Sequence, residues 1–115
     1  MERILIIGAA GQLGSELTQA IANIYGGDNV IATDINPKAL EKFENCRTAV
    51  LDVMDKEALK DLVKDQNVKQ IYHLAAVLSA TGEKMPLFAW NLNMESLLFV
   101  LELAKEEKLD KIYWP

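Results

Sequence analysis

The chain has one cysteine and one histidine among its 115 residues. A single Cys46 excludes an internal disulfide and any cysteine-rich metal site. His73 has no second His or Cys with which to build a histidine-based metal cluster. Basic side chains are in the minority, 12 against 17 acidic ones, for a formal net charge of −5. That balance argues against non-specific binding to nucleic acid or to an anionic membrane. No apolar run approaches the roughly 20 residues needed to span a bilayer. Met1-Glu2-Arg3 before Ile4–Ile7 is unlike a secretory leader, because the apolar run is brief, the leader contains an acid, and glycines follow at once. The expected compartment is the cytoplasm. What remains is an ordinary globular composition, suited to one domain with a real core.

No internal repeat or low-complexity stretch interrupts the chain. Short apolar runs alternate with amphipathic stretches, the pattern of βαβ units and a parallel sheet. Ile4–Ile7 is a continuous apolar run, as in a strand buried on both faces. Leu13, Leu17, Ala20, Ile21 and Ile24 recur at helical spacing, and Gly26-Gly27 end that helix. Val30–Thr33 reads as a second strand. Asn36-Pro37 resembles a cap and first-turn proline, opening a short helix that buries Leu40 and Phe43. Thr48–Leu51 is a third strand, and Asp55 caps a helix with Ala58, Leu59, Leu62 and Val63 inside. Ile71–Leu74 is a fourth strand. Pro86 opens the longest helix, with an expected core stripe of Leu87, Trp90, Met94, Leu97, Leu98, Leu101 and Ala104. Leu92, Phe99, Val100 and Leu103 widen its apolar surface, enough to suggest two packing partners. Lys111–Trp114 is a fifth strand. The fold class is therefore α/β, a doubly wound parallel sheet with five strands in the order 3-2-1-4-5.

Gly8-Ala9-Ala10-Gly11-Gln12-Leu13-Gly14 lies where the first strand turns into the first helix. Each glycine has a physical use there. Gly8 permits a sharp turn, Gly11 lets a pyrophosphate approach the main chain, and Gly14 lets the helix pack close to the sheet. The free N–H groups and the dipole of the first helical turn then hold phosphate charge. Asp34 ends the second strand, twenty residues after Gly14, where an acid binds the adenosine ribose hydroxyls. Its carboxylate repels a 2′-phosphate, which favours NAD over NADP, and Lys38 is the nearby cation that weighs slightly against this. A turn or helix-capping role for Asp34 is the plainer alternative. Asp52 follows the third strand, beside the expected adenine, where its side chain and the Val53 N–H can meet the base edge; a helix-capping acid is the alternative. His73 reads as a structural residue at a strand end, and Cys46 as a small, at least half-buried one. Leu74-Ala75-Ala76 is small and apolar enough to pass close under a cofactor.

The combination of Gly8-x-x-Gly11-x-x-Gly14, Asp34, Leu51-Asp52-Val53, His73-Leu74-Ala75-Ala76 and Asn93 resembles the extended short-chain dehydrogenase/reductases. Leu78–Lys84, Ala89–Met94 and Lys111–Pro115 are similar to the NAD-dependent L-threonine 3-dehydrogenases of that superfamily. The resemblance runs the length of the chain; the glycine motif is widely shared, and Leu78–Lys84 is much more specific. It implies a Rossmann domain over residues 1–115, partial and without a substrate lobe. It also implies hydride transfer from the threonine β-hydroxyl to NAD. Carried over by position, Gly8, Gly11, Gln12, Leu13 and Gly14 hold the pyrophosphate. Asp34 takes the ribose, Asp52 and Val53 the adenine, and Leu74, Ala75 and Ala76 line the cofactor. Asn93 supports the fourth strand from the long helix, a solvent-facing role being the alternative, and Ser79 touches the substrate.

One departure matters more than the match. The family's chemistry uses a Tyr-x-x-x-Lys pair, and Tyr25, Tyr72 and Tyr113 have no lysine four residues on. A general base must lie within hydrogen-bond reach of the proton it takes, and this sequence offers none, so no catalytic residue is assigned. The expected function is the nucleotide-binding part of such an oxidoreductase, inactive alone. The alternatives are a non-catalytic binding or assembly module, or a fragment of a sugar-nucleotide epimerase. An open fifth-strand edge and the apolar back of the 86–107 helix lead to the expectation of a homodimer or higher assembly.

Overall fold

Alternate residues of the first strand serve two different cores. Leu5 and Ile7 face one side of the sheet, Ile4 and Ile6 the other, and all four are buried. The computed structural model describes residues 2–75 and 86–114. Within them the chain runs β1 (Arg3–Ile7), α1 (Gln12–Tyr25), β2 (Val30–Asp34), β3 (Arg47–Val50), α2 (Lys56–Asp65), β4 (Val68–His73), α3 (Pro86–Glu106) and β5 (Lys111–Tyr113). All neighbouring strands are parallel, and the order is β3-β2-β1-β4-β5. This is the doubly wound Rossmann arrangement that the alternation of elements predicts. Strand bounds differ from the sequence reading by one to three residues.

Ile7 pairs with Thr33 on one side and His73 on the other, so β1, β2 and β4 end level. The sheet winds away in both directions from that point, which opens a crevice at its carboxyl edge. One core joins Leu5, Ile7 and Ile71 to Leu59 and Val63 of α2 and to Val100 and Leu103 of α3. The other joins Ile4, Ile6, Val30 and Ala32 to Ile21 and Ala22 of α1 and to Leu40 and Phe43. Leu40 and Phe43 are buried as expected, but the segment at Asn36-Pro37 is a single 3-10 turn, Pro37–Leu40, not an α-helix. Asn36 caps it by accepting from the Lys38 N–H at 3.1 Å, and Asp55 caps α2 by accepting from the Ala58 N–H at 3.2 Å.

Two helices keep only part of the face their apolar spacing suggests: in α1 Ile21 is buried and Leu17 packs on the core, as expected. In α1 the residues against the sheet are Gly14, Thr18, Ile21 and Ala22, while Leu13 and Ile24 are 58% and 73% exposed. A Cβ on Gly14 would lie 2.5 Å from the Gly8 carbonyl oxygen, so the helix docks through its one residue without a side chain. Thr18 follows it on that face and satisfies its hydroxyl internally by donating to the Gly14 carbonyl at 2.6 Å. In α3 the buried residues are Ala89, Ser96, Leu97, Val100 and Leu103. Of the expected stripe only Leu97 is buried; Met94 and Ala104 are half-buried, and Leu87, Trp90, Leu98 and Leu101 are exposed. A helix apolar nearly all round has two possible inner faces. The face with small and hydroxyl residues approaches the sheet more closely, and Ser96 finds a buried partner there.

Candidate functional site

Gly8 leaves β1 with φ +82°, and an added Cβ would meet the Ala75 nitrogen at 2.6 Å. Glycine is therefore required by the fold itself, since the loop turns hard against the end of β4. Gly14 is equally constrained by the close approach of α1. Gly11 differs: its φ is −68°, and a Cβ would find its nearest neighbour at 3.9 Å. Nothing among the described residues needs glycine there. Gly11 instead faces a cleft of about 490 Å³ at the carboxyl edge of the sheet. It is the N-cap of α1 and makes no side-chain capping bond, and the first turn carries no acid. The first N–H groups and the positive end of the helix dipole are thus available to an anion.

Asp34 stands across this loop. Its Oδ2 accepts from the Ala10 N–H at 3.1 Å and its Oδ1 from the Asn36 N–H at 3.2 Å. The turn role and the ligand role are compatible, because each carboxylate oxygen has a further lone pair. Asp34 lines the cleft, as do Gly8, Gly11, Asp52, Val53, Leu74, Ala75 and Asn93. Asp52 is exposed and accepts from the Met54 N–H at 2.9 Å; Asp55, not Asp52, caps α2. Three expected residues stand off the wall. Gln12 and Leu13 point to solvent from the first turn of α1, and Gly14 is buried behind it. Ala76 and Ser79 lie outside the described residues, as does the distinctive 78–84 segment.

The sequence reading missed several contributors. Buried Ile7 and Leu51, half-buried Met54 and exposed Ile35 add apolar wall; single apolar residues of this kind carry no spacing signal. Ser96 also lines the cleft, and its hydroxyl lies 2.9 Å from His73 Nε2. Lys42 reaches the glycine loop, its Nζ donating to the Ala10 carbonyl at 2.9 Å, while the Lys38 N–H serves the 3-10 turn by donating to Asn36 Oδ1 at 3.1 Å. His73 is buried, and burial holds its imidazole pKa below the ordinary value. Burial raises the Cys46 thiol pKa, which keeps it protonated and unreactive. Burial, then the neighbouring Tyr113, raises Tyr72, whose ring stacks on Tyr113 with centroids 4.4 Å apart. The described residues contain no group of three or more His, Cys, Asp or Glu placed to hold a metal ion.

A glycine loop with one cleft-facing glycine, an acid at the end of β2 and a crevice at the strand switch have a counterpart among known proteins. Residues 4–115 match the NAD dependent epimerase/dehydratase family. The chain belongs to that family. An uncharacterized epimerase/dehydratase of Staphylococcus saprophyticus is 47% identical over 110 residues, covering 95% of this chain and 34% of that protein. A GalE-like L-threonine dehydrogenase from Cupriavidus necator, solved in its holo form, is 48% identical with a TM-score of 0.91, over 98% of this chain and 36% of the other. A partial-consensus L-threonine 3-dehydrogenase is 52% identical with a TM-score of 0.90, over 98% and 36%. This epimerase/dehydratase family chain thus spans about a third of the length of the relatives it matches.

Proposed function

We propose that the cleft binds NAD and that residues 1–115 are the nucleotide-binding part of an oxidoreductase acting on L-threonine. The observation that carries this reading is Gly11, a glycine unexplained by the protein's own packing, at a helix start with no side-chain cap and opposite Asp34. The residues fit the cofactor's chemistry. The loop and the α1 N-terminus present N–H groups to a diphosphate. Asp34, held by the Ala10 and Asn36 N–H groups, keeps oxygen lone pairs for ribose hydroxyls. Asp52, Val53, Leu74 and Ala75 line the walls for the base and the ring beyond, and Asn93 lies on the α3 side. Bound NAD supplies a hydride acceptor; this chain's part is to position it.

The 48% and 52% identities to L-threonine dehydrogenases favour that substrate over a sugar nucleotide. The sequence contains no Tyr-x-x-x-Lys, so the 115 residues bind cofactor without turning over threonine. Self-association, through the β5 edge or the exposed outer face of α3, and a cytoplasmic location belong to the same reading. Among the described residues no helix is long and apolar enough to cross a membrane.

Isothermal titration of the chain with NAD and NADP, alongside a threonine oxidation assay, tests the reading. NAD binding in preference to NADP, with no turnover, is expected. Equal affinity for the two removes the role given to Asp34, and turnover by this chain alone removes the claim that a base is missing.

A further inference from the structure

Two elements that line the cleft are joined by one buried hydrogen bond. Leu74 and Ala75 follow β4, while Leu92, Asn93 and Ser96 belong to α3, and all of them line the cleft. His73, 1% exposed, is not part of the lining, but its Nε2 lies 2.9 Å from the Ser96 hydroxyl. The same hydroxyl lies 2.9 Å from the Asn93 carbonyl. Among the described residues the buried His73 Nδ1 has no partner, so the polar anchor of the ring is Ser96. The end of β4 is tied in turn to the glycine loop. The Leu74 N–H donates to the Ile7 carbonyl at 2.8 Å, and a Cβ on Gly8 would come within 2.6 Å of the Ala75 nitrogen. Elsewhere α3 meets the sheet through apolar side chains, with Val100 and Leu103 in one core with Leu5, Ile7 and Ile71. Apolar contact has no preferred direction, whereas a hydrogen bond sets both distance and angle.

We infer that Ser96 is a positioning residue for the ligand of this cleft, holding the α3 turn from Asn93 to Ser96 at a fixed distance from β4 through His73. The inference rests on reading the cleft as an NAD site and deepens it by one residue, a serine that neither the glycine spacing nor the acid after β2 marks. When α3 is free to slide or roll on its apolar contacts, Leu92 and Asn93 move relative to Leu74, Ala75 and the glycine loop. A ligand must then order that wall as it binds, which lowers affinity. Val100, one turn along the same buried face, packs in the core without lining the cleft, and so separates loss of position from loss of packing.

The test titrates NAD into the 115-residue chain and into Ser96→Ala, Ser96→Thr, His73→Leu, the Ser96→Ala/His73→Leu double variant and Val100→Ala, with a urea midpoint measured for each. Ser96→Ala is expected to weaken NAD binding about fivefold, the scale of one hydrogen bond. Ser96→Thr keeps the hydroxyl and is expected to restore affinity to within about twofold. His73→Leu is expected to match Ser96→Ala, and the double variant to be no weaker than either single one. Val100→Ala lowers the urea midpoint by opening a cavity and is expected to leave NAD affinity unchanged. Should His73→Leu fail to fold, Ser96→Ala, Ser96→Thr and Val100→Ala still decide. Equal weakening by Val100→Ala and Ser96→Ala reduces Ser96 to packing and overturns the inference, as does unchanged affinity in Ser96→Ala or a Ser96→Thr no better than Ser96→Ala. Weakening by Ser96→Ala but not by His73→Leu overturns it too, since Ser96 then meets the ligand directly. Failure of the unaltered chain to bind NAD overturns the cofactor reading itself and this inference with it.

Discussion

His73 Nε2 and Ser96 Oγ lie 2.9 Å apart in the core, joining the end of β4 to the middle of α3. The Ser96 hydroxyl also lies 2.9 Å from the Asn93 carbonyl, to which it can donate. Among the described residues the buried His73 Nδ1 has no hydrogen-bond partner.

Ser96→Ala removes the partner of His73 Nε2 and leaves that buried ring nitrogen unpaired. A loss of about 1–3 kcal/mol in unfolding free energy is expected, read from urea denaturation.

Stability is expected to fall as pH drops below 6.5. Burial lowers the folded-state pKa of His73 below its ordinary value of 6.5, so below that pH the unfolded chain binds more protons. The stabilisation is complete above the unfolded pKa and is lost toward acid, by at most about 1.4 kcal/mol per pH unit for one proton. Urea midpoints compared at pH 7.5 and 5.5 check the sign; a midpoint that rises toward pH 5.5 contradicts the buried neutral imidazole.

The three loop glycines should separate into two classes. Gly8→Ala and Gly14→Ala place a Cβ within 3 Å of backbone atoms and are expected to cost more than about 2 kcal/mol. Gly11→Ala has open space and is expected to cost under about 1 kcal/mol, yet to weaken NAD binding about tenfold or more by blocking the phosphate's approach. Parallel denaturation and titration experiments distinguish the classes.

Leu101 and Leu103 sit two residues apart on α3 and should respond oppositely. Leu103, 6% exposed, is expected to lose about 2–4 kcal/mol on change to alanine. Leu101, 46% exposed, is expected to lose under about 1 kcal/mol in the monomer. Equal costs would mean that the helix is docked through the wider stripe.

Much of the fold was legible because its signals are local. The Ile4–Ile7 run, the stop at Gly26-Gly27, the caps at Asn36 and Asp55, and the spacing from Gly14 to Asp34 each depend on neighbours in the chain. The inner face of α3 was not legible, and that of α1 only in part, through Gly14, Leu17 and Ile21. Thr18 and Ser96 face inward although neither is apolar, and Lys42 reaches Ala10 across 32 positions.

By itself, the order of residues determined a five-stranded parallel sheet, the place of its glycine loop and the acid opposite. Periodicity and glycine spacing are properties of consecutive residues, and these features need nothing more. Only the tertiary structure decided which side of α3 is inside, that Lys42 reaches Ala10, and that Ser96 meets His73. Those outcomes depend on how closely two backbones approach, a distance that no stretch of sequence contains.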